Sequence, residues 1–246
     1  MQSALYCSAL LIPLGLPTAV VFLQGRKHAP CRGTGIQDRI AAFQISCCAG
    51  MSLATAGAIL AGWLPPLTLR QMLWANAAGT ALPSLILGSV PVSSSAVPGN
   101  PGASLRAYPD CARLFPDILV PGLLSAVLLL GVFRLNLGYS GEASGAVDRA
   151  RSLGFLALGL VQAGSPLAGL PGLSRTAGLR VLWRPLGVCL GGSIAALTAV
   201  ATTFWFPPLR SALGLVLPES GETAAVLAGV AAYAVLAAMF RAGLSR

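Results

Sequence analysis

Apolar stretches about the length of a bilayer crossing recur seven times along this chain, at roughly 4–24, 40–63, 71–92, 117–137, 152–171, 186–206 and 222–240. Each is close to the ~20 residues an α-helix needs to traverse a hydrocarbon core. The acids avoid the middle of these runs: Asp38, Asp110, Asp117, Glu142, Asp148, Glu219 and Glu222 all sit at or beyond run ends. Backbone polar groups in lipid must be satisfied within their own segment, so runs of this length fold as helices. The expected fold class is all-α: one polytopic integral membrane domain over 1–246 with about seven transmembrane helices. A polar inter-helix loop is expected at 93–116 and a basic one at 172–185.

Composition closes off the soluble alternative. Charged residues make up 9% of the chain and apolar ones 55%, with a mean hydropathy of +0.77. A soluble domain carries about 25% charged residues. The 29 glycines and 18 prolines fit membrane helices, where neighbouring elements re-satisfy freed backbone groups. No basic segment precedes the first run, which therefore reads as a retained helix and not as a cleaved signal. Runs three and five contain Pro83 and Ser165-Pro166, and these mark them as candidates for broken or re-entrant helices.

The net charge of +9 is spread singly between apolar runs, so no nucleic-acid partner is expected. Its distribution gives an orientation instead. Arg26, Lys27, Arg32, Arg39, Arg106, Arg113, Arg175, Arg180, Arg184, Arg241 and Arg246 fall beside one set of alternate connections. Arg70, Arg134, Arg149, Arg151 and Arg210 fall beside the other. Basic residues concentrate on the inner side, which puts the N-terminus outside and the C-terminus inside.

Small residues line two runs. Gly50, Gly57 and Gly62 recur in one, and Gly187-x-x-x-Gly191 with Gly192 and Ser193 in another. Such faces let backbones approach closely in lipid, either within this chain or against the helices of other membrane subunits. Asp117 and Arg134 lie near opposite ends of run four and read as interfacial residues, the arginine snorkelling. The alternative pairs Arg134 with Asn136 in a polar contact to another helix.

Several chemistries drop out. With no carboxylate near the middle of a run, a proton pump or acid-based antiporter is not expected. The single lysine, Lys27, follows run one, which excludes a Schiff base on the last helix. The only histidine is His28, in a basic connection, and the six cysteines form no C-x-x-C. No metal, haem or other cofactor and no histidine-based hydrolase is expected.

Two connections on the expected inner face combine hydroxyls, turn residues and arginine. Ser93, Ser94, Ser95, Asn100 and Arg106 come from one; Ser174, Arg175 and Arg180 come from the other. Hydroxyls, a backbone nest and a forked guanidinium are what a phosphate needs. "VPVSSSA" (90–96) resembles the signature loop of the undecaprenyl-diphosphatase family, and "LPGLSR" (170–175) resembles that family's second motif. The resemblance implies diphosphate contacts at Ser93–Ser95 and Ser174–Arg175. The family's glutamates before the first motif and its histidine after it have no counterpart here, and the two motifs lie closer together. "LGSVP", "GNPGASLR" and "PDILVPG", in that order, resemble the glycerol-3-phosphate acyltransferases that use acyl-phosphate donors, a family with seven spans and an outer N-terminus. Pro121 stands where that family has a lysine. Its Gly-Gly-Lys-Gly loop and late histidine are missing. Each resemblance covers under a fifth of the chain.

General acid–base work on a phosphate asks for His, Asp or Glu within reach, and neither loop has an evident set. The expected function is a non-catalytic membrane component, a subunit or scaffold of a larger complex that contacts membrane lipids and other membrane subunits. A lipid-phosphate enzyme of diphosphatase or acyltransferase type is one alternative. A passive transporter or channel for a neutral solute is the other.

Overall fold

The computed structural model describes residues 34–81, 111–140, 144–168 and 179–244. Among them every regular element is helical. In chain order these are α1 (Thr34–Leu60), α2 (Leu69–Trp74) continued by a π-helical turn, π1 (Ala75–Ala81), α3 (Cys111–Ser140), α4 (Ser144–Ala168), α5 (Leu179–Trp205), α6 (Pro207–Leu213) and α7 (Ser220–Leu244). The chain is all-α over these residues. Leu119–Gly138 in α3 and Ser220–Phe240 in α7 are each long and apolar enough to cross a membrane. The bent pair Cys189–Trp205 and Pro207–Leu213 makes a third if it counts as one span. Run one and the second half of run three lie outside the described residues.

The helices are patterned opposite to those of a soluble bundle. Ile45, Leu53 and Ile59 of α1 point outward, while Gln44, Ser46, Cys48 and Thr55 are buried. On α3, Leu123, Val127 and Leu135 are exposed and Ser125 is buried; on α5, Leu190, Ile194 and Leu197 are exposed and Ser193 and Thr203 are buried. Water would penalise so large an apolar exterior, whereas a hydrocarbon solvent accepts it.

Small residues set the closest crossing. A Cβ on Gly50 of α1 would overlap Ser125 Oγ and stand 2.9 Å from the Gly122 carbonyl of α3, and one on Gly122 would stand 3.1 Å from the Ser46 carbonyl. The face that carries Gly50 therefore packs within the chain. Gly62 does not belong to it: with φ +72° and nothing within 4 Å, it closes α1. Gly62 N–H donates to the Ile59 carbonyl at 3.0 Å and Trp63 N–H to the Ala58 carbonyl at 2.8 Å, the two bonds of a Schellman end. The Gly187-x-x-x-Gly191 face is open, with nothing near a Cβ at either position among the described residues.

From there α3 packs on α4, α4 on α5, and α7 lies against α3 and α4. The α7 span is only 11% buried against 33% for that of α3, so α7 is the most peripheral of the long helices. One core cluster, with Met51, Leu67, Met72, Leu129, Phe155 and Phe204, joins α1, α2, α3, α4 and α5. The Phe155 and Phe204 rings meet at 6.0 Å, tilted by 57°.

The helix boundaries differ from the run boundaries in instructive ways. α3 begins at Cys111 and α5 at Leu179, so the last residues of both expected loops, 111–116 and 179–185, are helical. Ser165-Pro166 does not interrupt α4, which continues to Ala168. Run three departs from α-geometry at Ala75, ahead of Pro83. Asn136 does not reach another helix; its Nδ2 donates to the Val132 carbonyl of its own helix at 2.7 Å. The Arg134 guanidinium lies 5.3 Å from the Trp63 ring centroid.

A neutral polar cluster around a π-helical turn

One end of the bundle is tied together by polar bonds among the 61–68 connection with the start of α2, the first turns of α4, and the chain from the end of α6 into α7. Thr68 caps α2 through a reciprocal box: its Oγ1 accepts from Gln71 N–H at 3.3 Å, and Gln71 Oε1 accepts from Thr68 N–H at 2.9 Å. The Gln71 Nε2 then donates to the Leu213 carbonyl at 3.1 Å, and Arg70 donates to the Ala212 carbonyl at 3.2 Å. Arg151 Nε donates to the Pro65 carbonyl at 3.2 Å, and the buried Ser152 hydroxyl accepts from Val216 N–H at 2.8 Å. Arg149 pairs with Glu219 and, at 2.6 Å, with Glu222. Its pKa is raised above the ordinary arginine range, first by the hydrogen bond to Glu219 and then by that to Glu222.

This frame fixes where α2 enters the bundle. Trp74 Nε1 donates to Thr203 Oγ1 of α5 at 2.8 Å. Directly after Trp74 the chain widens into π1, which packs against α1, α4 and α5. A π-turn shifts the hydrogen-bond register, and such turns concentrate at functional sites.

Two side chains of π1, Asn76 and Thr80, are polar, and both are neutral and buried. Asn76 Oδ1 accepts from Cys48 Sγ at 3.6 Å and from Thr80 Oγ1 at 3.4 Å. Asn76, Thr80, Cys48 and Gln44, one turn from Cys48 on the same face of α1, are all buried. From α4 comes Gln162, fully buried at 0% exposure. Gly79 faces it so closely that a Cβ there would overlap the amide.

Three polar valences in this region are unused. Among the described residues, Asn76 Nδ2 has no hydrogen-bond partner, nor does either amide atom of Gln162. On α5 the buried Ser193 hydroxyl is likewise unpartnered. An unsatisfied buried polar group costs about 1–3 kcal/mol. Each therefore asks for an explanation, and an unfilled hydrogen-bonding site is one.

The arrangement contains amides, hydroxyls and a thiol. It can donate and accept hydrogen bonds to a bound molecule. Among the described residues no group of three His, Cys, Asp or Glu side chains is placed to hold a metal ion. The residues singled out for phosphate contact, Ser93, Ser94, Ser95, Asn100, Arg106, Ser174 and Arg175, all lie outside the described residues.

Ionisable residues do not mark this cluster in the sequence, because its members are neutral. The signal was present: Gln44, Asn76 with Thr80 four residues on, and Gln162 are polar residues within runs two, three and five. The Thr68–Gln71 capping box is equally explicit as T-x-x-Q before an apolar segment. No protein-family model matches the chain, and no curated protein matches it.

Proposed function

We propose that this chain is a multi-pass membrane component, with the seven spans and outer N-terminus given above, that holds a small neutral solute between its helices during passive transport. The observation that carries this reading is the pair of buried, unpartnered amides, Asn76 Nδ2 and the Gln162 carboxamide, beside a π-turn. Pathways that cross lipid commonly use irregular backbone where it lines a cavity, with polar side chains replacing the hydration of the solute. A neutral cluster suits a neutral solute, because it offers no counter-charge to an ion. Gathering of the 61–68 connection, the start of α4 and the 206–219 stretch at one end agrees with helices that alternate in direction.

The test is permeation. Proteoliposomes bearing the full chain should equilibrate small uncharged amides and polyols faster than empty liposomes under an osmotic step. Equal rates would reject the reading.

A subunit role in a larger membrane complex is favoured by a separate observation, the open Gly187-x-x-x-Gly191 face of α5. A helix of a partner subunit, with its backbone close to this face, would use it. Purification in mild detergent tests this: co-purifying membrane subunits released by bulky substitution at Gly187 or Gly191 are expected, and a solitary chain would contradict it.

A further inference from the structure

We infer that the elbow between α5 and α6 is an interfacial anchor, with Trp205 and Phe206 seated at the headgroup–acyl boundary of a phospholipid bilayer and α6 lying in the membrane plane. The inference rests on the membrane reading above but not on the solute site. α6 leaves α5 at 86°, with Pro207 and Pro208 in its first turn. Proline there forbids straight continuation of α5 and is well tolerated as a helix start.

At the corner Trp205 is 81% exposed and Phe206 54%. An exposed tryptophan in water is unexplained, whereas an amphipathic ring at the bilayer surface has the environment it prefers. The depth of this corner matches other boundaries at the same end. The α3 span ends at Gly138, and the α7 span begins at Ser220. Trp63 follows α1 here and stacks with Arg134; Arg149 and Glu219 lie outside the two spans, and their partner Glu222 is in the first turn of the α7 span.

The alternative geometry is a re-entrant hairpin, with α6 dipping back towards the hydrocarbon. Arg210, on α6, would then be carried inward at considerable cost. Instead α6 is held across the bundle end by Arg70 at the Ala212 carbonyl and Gln71 at the Leu213 carbonyl. Gly214, at φ +63°, closes it and turns the chain towards α7.

Depth-dependent fluorescence quenching tests the anchor. Trp63, Trp74 and Trp183 are replaced by Phe in the full chain, leaving Trp205, and the protein is placed in phosphatidylcholine nanodiscs. The lipid is brominated either near the headgroup end or near the methyl end of its acyl chains. Trp205 should lose more fluorescence to the shallow bromines than to the deep ones. Stronger quenching by the deep bromines would overturn the inference in favour of a re-entrant segment. Quenching by aqueous iodide with none by lipid bromine would overturn it by placing the elbow in water, and no quenching by either would mean that protein covers it. Failure of the membrane reading looks different, because the chain would then not co-elute with nanodisc lipid at all.

Discussion

Gly79 and Gln162 are packed so closely that a single methyl group on the glycine would occupy the position of the glutamine amide. The π-turn can approach α4 here only because residue 79 has no side chain. Gly79→Ala should displace the Gln162 carboxamide, lower stability by about 1–3 kcal/mol through overpacking, and abolish solute passage. Thermal unfolding in detergent and liposome permeation check the two halves.

Gln162→Leu has the opposite signature. It replaces an unpartnered buried amide by an apolar group of similar size. Relief of an unsatisfied polar group is worth about 1–3 kcal/mol, so the variant should be more stable than the parent in the absence of solute. Gain of stability with loss of function marks a site kept for use. A lower unfolding temperature for Gln162→Leu would mean that the amide has a structural partner.

The glycines should rank by what they face. Gly50→Ala meets the Gly122 backbone carbonyl, which cannot rotate away, and should be the most damaging. Gly159→Ala, whose Cβ would stand 2.6 Å from Val200 Cγ2, should follow. Gly187→Ala and Gly191→Ala face open space and should be neutral or stabilising by up to about 1 kcal/mol, the helix preference of alanine over glycine. Unfolding temperatures of the four variants check the order.

The Arg149 ion pairs should respond to salt and hardly to alkali. Its pKa is raised by Glu219 and Glu222, so the stabilisation is fully present below the ordinary arginine range and is lost only as pH climbs through the raised value. No alkaline weakening from this arginine is expected near neutrality. Glu222→Gln should cost more than Glu219→Gln, because Glu222 is less exposed and also accepts from Glu219 N–H at 2.9 Å. Pairs this open contribute little and are screened by salt. Unfolding of both variants at low and high salt is the check.

Much of the helix layout was legible from hydropathy alone. Runs two, four, five, six and seven overlap α1, α3, α4, α5 and α7, and of these α3 and α7, with the bent α5–α6 pair as a third, are long and apolar enough to cross a membrane. Local chemistry misled at two points. Ser165-Pro166 falls in the last turn of α4, where proline merely precedes the helix end. Gly62 follows Gly50 and Gly57 in the same run but serves backbone conformation, which composition does not reveal. The π-turn at Ala75 carries no proline or glycine at its start, so its position depends on tertiary contacts with α1, α4 and α5. The polar cluster was hidden for a different reason: neutral amides within a run look like incidental interruptions until a fold brings Asn76, Thr80 and Cys48 together.

The most direct test of the solute site is the permeation rate of a neutral solute through proteoliposomes of the parent chain and of Gln162→Leu, reconstituted side by side at equal protein density. The parent should equilibrate the solute faster than empty liposomes, and Gln162→Leu should fall to the empty-liposome rate while remaining folded. Equal, accelerated rates for both proteins would contradict this.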